Sequence, residues 1–173
     1  MKTIFQALAK YNGNVNLEIT GFLEGMPAEK LTNRTKAYFP TIQDAVFHIF
    51  LSDLGMFRRF KAAFPESKAI NSSALLSADT AVIKKEVEAD LKKFFQYRRD
   101  MDFMITQFMD ELTDEKLESP LKYVNYKGES VETVVWKMLL TIFNHQTHHR
   151  GGISVMLDMA DVKNDFSGTL ARI

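Results

Sequence analysis

Val131, Val135, Met138, Ile142, His145, His149, Gly152 and Met156 advance along the chain in alternating steps of four and three. That spacing keeps one face of an α-helix turned toward a partner along its length, so the segment from about Val131 to Met159 reads as a long helix with a buried seam. His145 and His149 stand in the seam, where Val or Leu would be expected. A chain that buries this face must therefore bury two polar rings one helical turn apart, and each needs a partner.

Three more segments carry helical periodicity. The first runs from about Thr3 to Glu24, with Phe5, Leu8, Val15, Leu17, Ile19 and Phe22 among its apolar positions. Gly25-Met26-Pro27 ends it, because Pro cannot continue a helix. The second starts after Phe39-Pro40 with Thr41 as N-cap and Asp44 in the place of a capping-box Glu, and runs through His48 to about Ala63. Glu66 to Ser77, rich in Ser and Asn, reads as a loop. Asp79 or Thr80 caps the third helix, which reaches about Leu112 with Val82, Val87, Leu91, Phe94, Phe95, Met101, Met104, Ile105 and Phe108 as core candidates. Thr113 to Glu129 breaks the pattern. Within it, Leu121 to Tyr126 alternates ahead of Lys127-Gly128, which admits a short strand or hairpin. Ser130 is the expected cap of the fourth helix, and the polar tail from Asp161 to Ile173 is expected to wrap the surface.

The fold class that follows is all-α: a four-helix bundle, with a short β hairpin admitted between the third and fourth helices, as a single domain over residues 1–173. The 14 Phe and 9 Met suit a bulky helical interior and read as packing.

Charge narrows the function. Lys+Arg and Asp+Glu are both 22, so no general basic field exists to displace counterions, and no nucleic-acid partner is expected. The absence of Cys removes disulfides, thiolate ligands and Cys nucleophiles together, and fits a reducing compartment. Met1 to Lys10 is too short an apolar run for a signal peptide, and no segment approaches the ~18 apolar residues of a membrane span. The expected location is the cytoplasm, with no membrane partner.

The chemistry rests on histidine. At i and i+4, His145 and His149 stack with Cβ atoms roughly 5–6 Å apart. Charged, they would repel; neutral, they offer lone pairs that one metal ion satisfies, and a third imidazole from another helix would complete an open three-His site. His148 lies one position aside, on the flank of Val134, Thr141 and Val155, and is the weaker candidate: a support to the site, a substrate contact or a bystander. His48 taken alone reads more readily as a hydrogen-bonded core residue. A zincin would need Glu where Gln146 stands. A di-iron carboxylate bundle would need Glu three residues before His48 and His145, where Ala45 and Ile142 stand. Gly151-Gly152 suggests a close helix–helix approach.

The run Asn144-His145-Gln146-Thr147-His148-His149-Arg150-Gly151-Gly152-Ile153 resembles the H-x-x-H-H-R-G-Q signature of the DinB/YfiT-like metalloenzymes. His48 in Ala45-Val46-Phe47-His48-Ile49-Phe50 is similar to the family's isolated second-helix His, and Tyr11-Asn12-x-x-x-Asn16 to its opening element. The resemblance spans almost the whole chain. It implies a four-helix bundle of variant topology, often a homodimer, with a divalent ion such as zinc or nickel on His48, His145 and His149. Gly152 departs from the usual Gln, which leaves the three ligands in place and alters any contact that Gln makes. Characterised relatives include thiol-dependent transferases and isomerases.

The expected function is a metal-dependent transferase or hydrolase acting on a small molecule, with a low-molecular-weight thiol as a candidate partner. Arg150 is a candidate for a substrate carboxylate, Asp44 for orienting the His48 ring, and Asn12 or Asn16 for facing the site from the first helix. The rivals are a non-catalytic bundle binding metal structurally, a stress-response binding protein, and an apolar ligand-binding bundle without metal.

Overall fold

Four long apolar stripes and the turns that join them set the architecture of the computed structural model, which describes residues 1–173. Helix α1 (Lys2–Glu24) stops at Gly25, and a single short turn, α2 (Ala28–Thr32), follows. Helix α3 (Ile42–Arg58) begins at Thr41. The Thr41 hydroxyl accepts from the Asp44 N–H at 3.0 Å and donates to the Asp44 carboxylate at 2.7 Å. The short Asp side chain thus meets the hydroxyl, where a longer capping Glu would reach back to the cap's own N–H.

The Glu66–Ser77 stretch is more ordered than expected. It holds two short helices, α4 (Lys68–Ser72) and α5 (Ala74–Ser77), started by Ser67 and Ser73, whose side chains accept from Ile70 and Leu76. The third expected helix is two, α6 (Thr80–Ala89) and α7 (Leu91–Glu111). Asp90 divides them. Its backbone is extended and its carboxylate accepts the Lys92 N–H at 2.9 Å, so a helix-interior position has become a cap.

After the short α8 (Asp114–Glu118), strands β1 (Pro120–Val124) and β2 (Ser130–Val134) form an antiparallel hairpin with Leu121 opposite Thr133. Asn125 Oδ1 accepts from the Lys127 and Glu129 N–H groups at 2.9 and 3.0 Å, and Gly128 takes φ +80°, a left-handed turn that a side chain would strain. The fourth helix therefore starts later than its periodicity suggests. It is α9 (Val135–Met159), while Ser130 and Val131 belong to β2. The β-branched Val131, Thr133 and Val134 fit a pleated strand better than a first helical turn.

Directions follow from the pairing. Gln6 meets Asp110 and Asn16 meets Asp102, so α1 and α7 are antiparallel. Helices α3 and α9 are antiparallel too, since Ala45 lies near Gly152 and His48 reaches back to His145. Phe47 packs on Phe94 and Phe57 on Phe108, making α3 and α7 parallel. Phe5 packs on Phe143 and Arg150 lies over Tyr11, making α1 and α9 parallel. The order is up, down, down, up. Two successive long helices pointing the same way need a return path, and α4 to α6 supply it.

Aromatic rings fill the interior, with Phe60 and Phe108 packed on each other and each on both Phe57 and Phe64. Two expected core residues lie outside: Leu17 is 56% and Val82 54% exposed. The tail lies along α1, where Arg172 pairs with Glu18 at 2.7 Å and the Tyr11 hydroxyl donates to the Phe166 carbonyl. No helix is long and apolar enough to cross a membrane.

Candidate metal centre

Because α3 and α9 run antiparallel, His48 from one meets His145 and His149 from the other. The three rings are half-buried, and one ring nitrogen from each lies within 4.8 Å of the others. His48 Nε2 stands 3.1 Å from His145 Nε2, and the Ser52 hydroxyl lies 3.5 Å from the same His48 nitrogen. Phe39, from the loop before α3, covers the cluster, with ring centroids 4.4 Å from His48 and 5.3 Å from His149.

The His48 and His145 nitrogens are spaced as two ligands of one metal ion would be. Zinc holds imidazole nitrogen at about 2.0–2.1 Å, which places two ligands about 3.3 Å apart in a tetrahedron and about 2.9 Å apart on an octahedral face. The 3.1 Å separation falls between the two. The group contains three imidazoles and no carboxylate. It could therefore bind a divalent ion while leaving further coordination positions to a ligand.

Proton competition is weak as well. Burial lowers the pKa of all three histidines, and the neighbouring imidazoles add to it at His145 and His149, leaving His149 at about 4. The His149 lone pair is thus free well below neutrality, and protons compete less for the other two than for an exposed imidazole. An imidazole whose pKa is lower folded than unfolded takes up its proton more readily after unfolding. Its support for the fold is present above pH ~6.5 and is lost as pH falls toward 4. Thermal scans of metal-free protein from pH 7 to 4.5 should show the wild-type midpoint falling more steeply than that of His149→Ala. Parallel curves would contradict the assignment.

The remaining candidates are placed differently. His148 is exposed, 4.9 Å from the His149 ring centroid, and outside the three-nitrogen group. Arg150 is turned into the bundle. It is 2% exposed, donates to Gln146 Oε1 at 3.2 Å and Thr147 Oγ1 at 3.1 Å, and lies over the Tyr11 ring. Asp44 spends its carboxylate on the Thr41 cap. The polar atoms nearest His48 Nε2 are His145 Nε2 and, farther off, the hydroxyl of Ser52 one turn later on the same helix. Asn12 is buried with neither side-chain atom hydrogen-bonded, and Asn16 donates to Asp102 at 2.9 Å.

What the sequence reading passed over is a buried polar relay that spans the bundle. Arg98 on α7 donates to Asp53 on α3 at 2.6 Å and, through two nitrogens, to Asp102 at 2.6 and 3.0 Å. Gln146 on α9, fully buried, donates to the same Asp53 oxygen at 3.0 Å. Burial pushes both carboxyls upward, Asp102 to about 6, against the pull of Arg98. Asp53 lies five residues beyond His48 and Gln146 directly follows His145, so this relay fixes the register in which the histidines meet. Gln146 is thus a positioning residue at the place where a zincin would carry its base.

The model of the DinB family matches residues 1–163. The chain belongs to the DinB family. It is similar to Protein DinB of Bacillus subtilis (strain 168), 30% identical over 157 residues that cover 88% of this chain and 84% of the relative. No solved structure gives a significant match.

Proposed function

We propose that the chain is a divalent-metal-dependent enzyme, a thiol-dependent S-transferase or a hydrolase of small molecules, working at an open three-His site. The observation that carries this reading is the meeting of three ring nitrogens without a carboxylate, beside a cavity of about 250 Å³ with His149 in its wall. A closed structural site would supply a fourth protein ligand. His48, His145 and His149 would hold the ion, with zinc or nickel the expected metals. When bound, the ion would supply the Lewis acidity that makes a thiol or water nucleophilic near neutral pH. The protein's own residues prepare that chemistry. Neutral imidazoles leave the cationic charge uncompensated and so favour an anionic ligand, Phe39 shields one side of the cluster from water, and the relay through Gln146 and Asp53 holds the two helices in register. The reading includes a cytoplasmic homodimer with no nucleic-acid or membrane partner.

Elemental analysis of protein purified without an affinity tag should find about one divalent ion per chain, absent from His149→Ala. Failure to load zinc or nickel on dialysis would sink the proposal. One observation favours a rival. The 3.1 Å contact between His48 and His145 also suits a hydrogen bond between neutral imidazoles, as a metal-free ligand-binding bundle would have.

A further inference from the structure

Gly151 and Gly152 occupy interior positions of the 25-residue helix α9. Each glycine in a helix interior costs about 1 kcal/mol relative to Ala. Close packing, the expected reason, does not account for them, because a Cβ built on either residue meets no atom within 4 Å. Gly152 instead lines the cavity of about 250 Å³. It sits one turn beyond His149, on the same seam.

The surrounding residues give this cavity a definite character. Ala37, Ala45 and Gly152, from three different segments, leave the space open, while Phe39, Ile153 and Met156 wall it with apolar surface. His149 forms one side, so the cavity lies beside the three-nitrogen group, and Phe39 packs against the His48 and His149 rings. The exposed Tyr38 and His148 complete its wall, and no Asp, Glu, Lys or Arg lines it. A dry cavity of about 150 Å³ already accepts benzene, so this one has room for a single ring on a short arm.

We infer that this cavity is the specificity pocket of the site, taking the aryl or branched-alkyl group of a small ligand whose donor atom reaches the histidines, and that Gly152 is the residue that sets its size. The inference rests on the three-His reading for the position of the donor atom, but not for the pocket itself. A larger residue at 152 would project from α9 into the cavity and displace the ring. A ligand without an apolar group would be unaffected. Gly152 therefore controls which ligands bind, and not whether metal does.

Two measurements separate the pocket from the metal. In cobalt-loaded protein, the thiolate-to-metal absorption band reports thiol binding. Phenylmethanethiol should bind at least about tenfold more tightly than 2-mercaptoethanol in wild type. Gly152→Leu should keep its cobalt spectrum and its 2-mercaptoethanol affinity while losing that preference, and Gly152→Ala should fall between. In metal-free protein, ethylbenzene should shift the 13C-methyl resonance of Met156 in wild type and not in Gly152→Leu. A preference for phenylmethanethiol that survives in Gly152→Leu, or an unmoved Met156 resonance in wild type, overturns the pocket. Absence of any cobalt spectrum together with a shifted Met156 resonance would remove the metal reading and leave the pocket standing.

Discussion

Arg98→Met should destabilise the protein by about 3–5 kcal/mol at pH 7, the largest loss expected from any single substitution considered for this chain. Arg98 is 3% exposed and is the cation shared by Asp53, which is 0% exposed, and Asp102. Methionine fills similar space but leaves both carboxyls without that partner, and an uncompensated buried charge costs far more than the ion pair itself contributes. For a chain of this size the thermal midpoint should fall by about 10 °C or more. Burial already raises both carboxyls, and without Arg98 they would rise further. The penalty should therefore shrink as the pH is lowered and the two groups become neutral. Urea denaturation of wild type and variant at pH 7 and pH 5 measures this directly. A loss below about 1 kcal/mol at pH 7, or one that grows at pH 5, would show that the relay is not ionic. Asp53→Ala should cost less, because Arg98 keeps two bonds to Asp102.

Zinc at a hundredfold excess over its Kd should stabilise wild type by about 2.7 kcal/mol, and His145→Ala should lose nearly all of that gain at the same zinc concentration. Three-ligand binding worth on the order of 10 kcal/mol divides into roughly 3–4 kcal/mol per imidazole, so removing one weakens affinity by about 140- to 700-fold. The metal-free variant should fold as well as wild type or better. His145 Nδ1 is buried without a hydrogen bond, so removal of the ring relieves an unsatisfied group and offsets the loss of its 3.1 Å contact with His48. Differential scanning calorimetry with and without zinc tests both halves. An equal zinc-induced shift in the two proteins would place the metal elsewhere. A metal-free variant far less stable than wild type would mean that the imidazole is structural.

The sequence carries its long-range information unevenly. The seam through His145 and His149 is legible because helical periodicity places both residues on one face, and the turn chemistry at Thr41 and Gly128 is legible because it is local. The break at Asp90 and the late start of α9 were not foreseen. Each depends on a competition between two locally acceptable states, helix interior against cap and helix against strand, which tertiary pairing decides. His48 could be joined to the pair only through its resemblance to a family motif, since no periodic rule relates residues 97 apart. The relay of Asp53, Arg98, Asp102 and Gln146 escaped notice for the same reason. Its members sit on three helices, and each taken singly reads as an ordinary surface residue. Phe39 gave no signal beyond preceding a proline. Ser52, four residues after His48, could have been found by asking what shares its helical face.

The up, down, down, up order also governs when the centre can come into being. Helices α3 and α9 are separated by the whole crossover and the hairpin, so a loop of 97 residues must close before His48 meets His145. Local pairs such as α6 with α7 can form early, whereas the histidines converge only after nearly everything between them is in place. An ion in the surrounding solution would then find no binding site to act as a folding template and would meet a finished one. Metal should accordingly slow the unfolding of this protein while leaving its refolding rate almost unchanged.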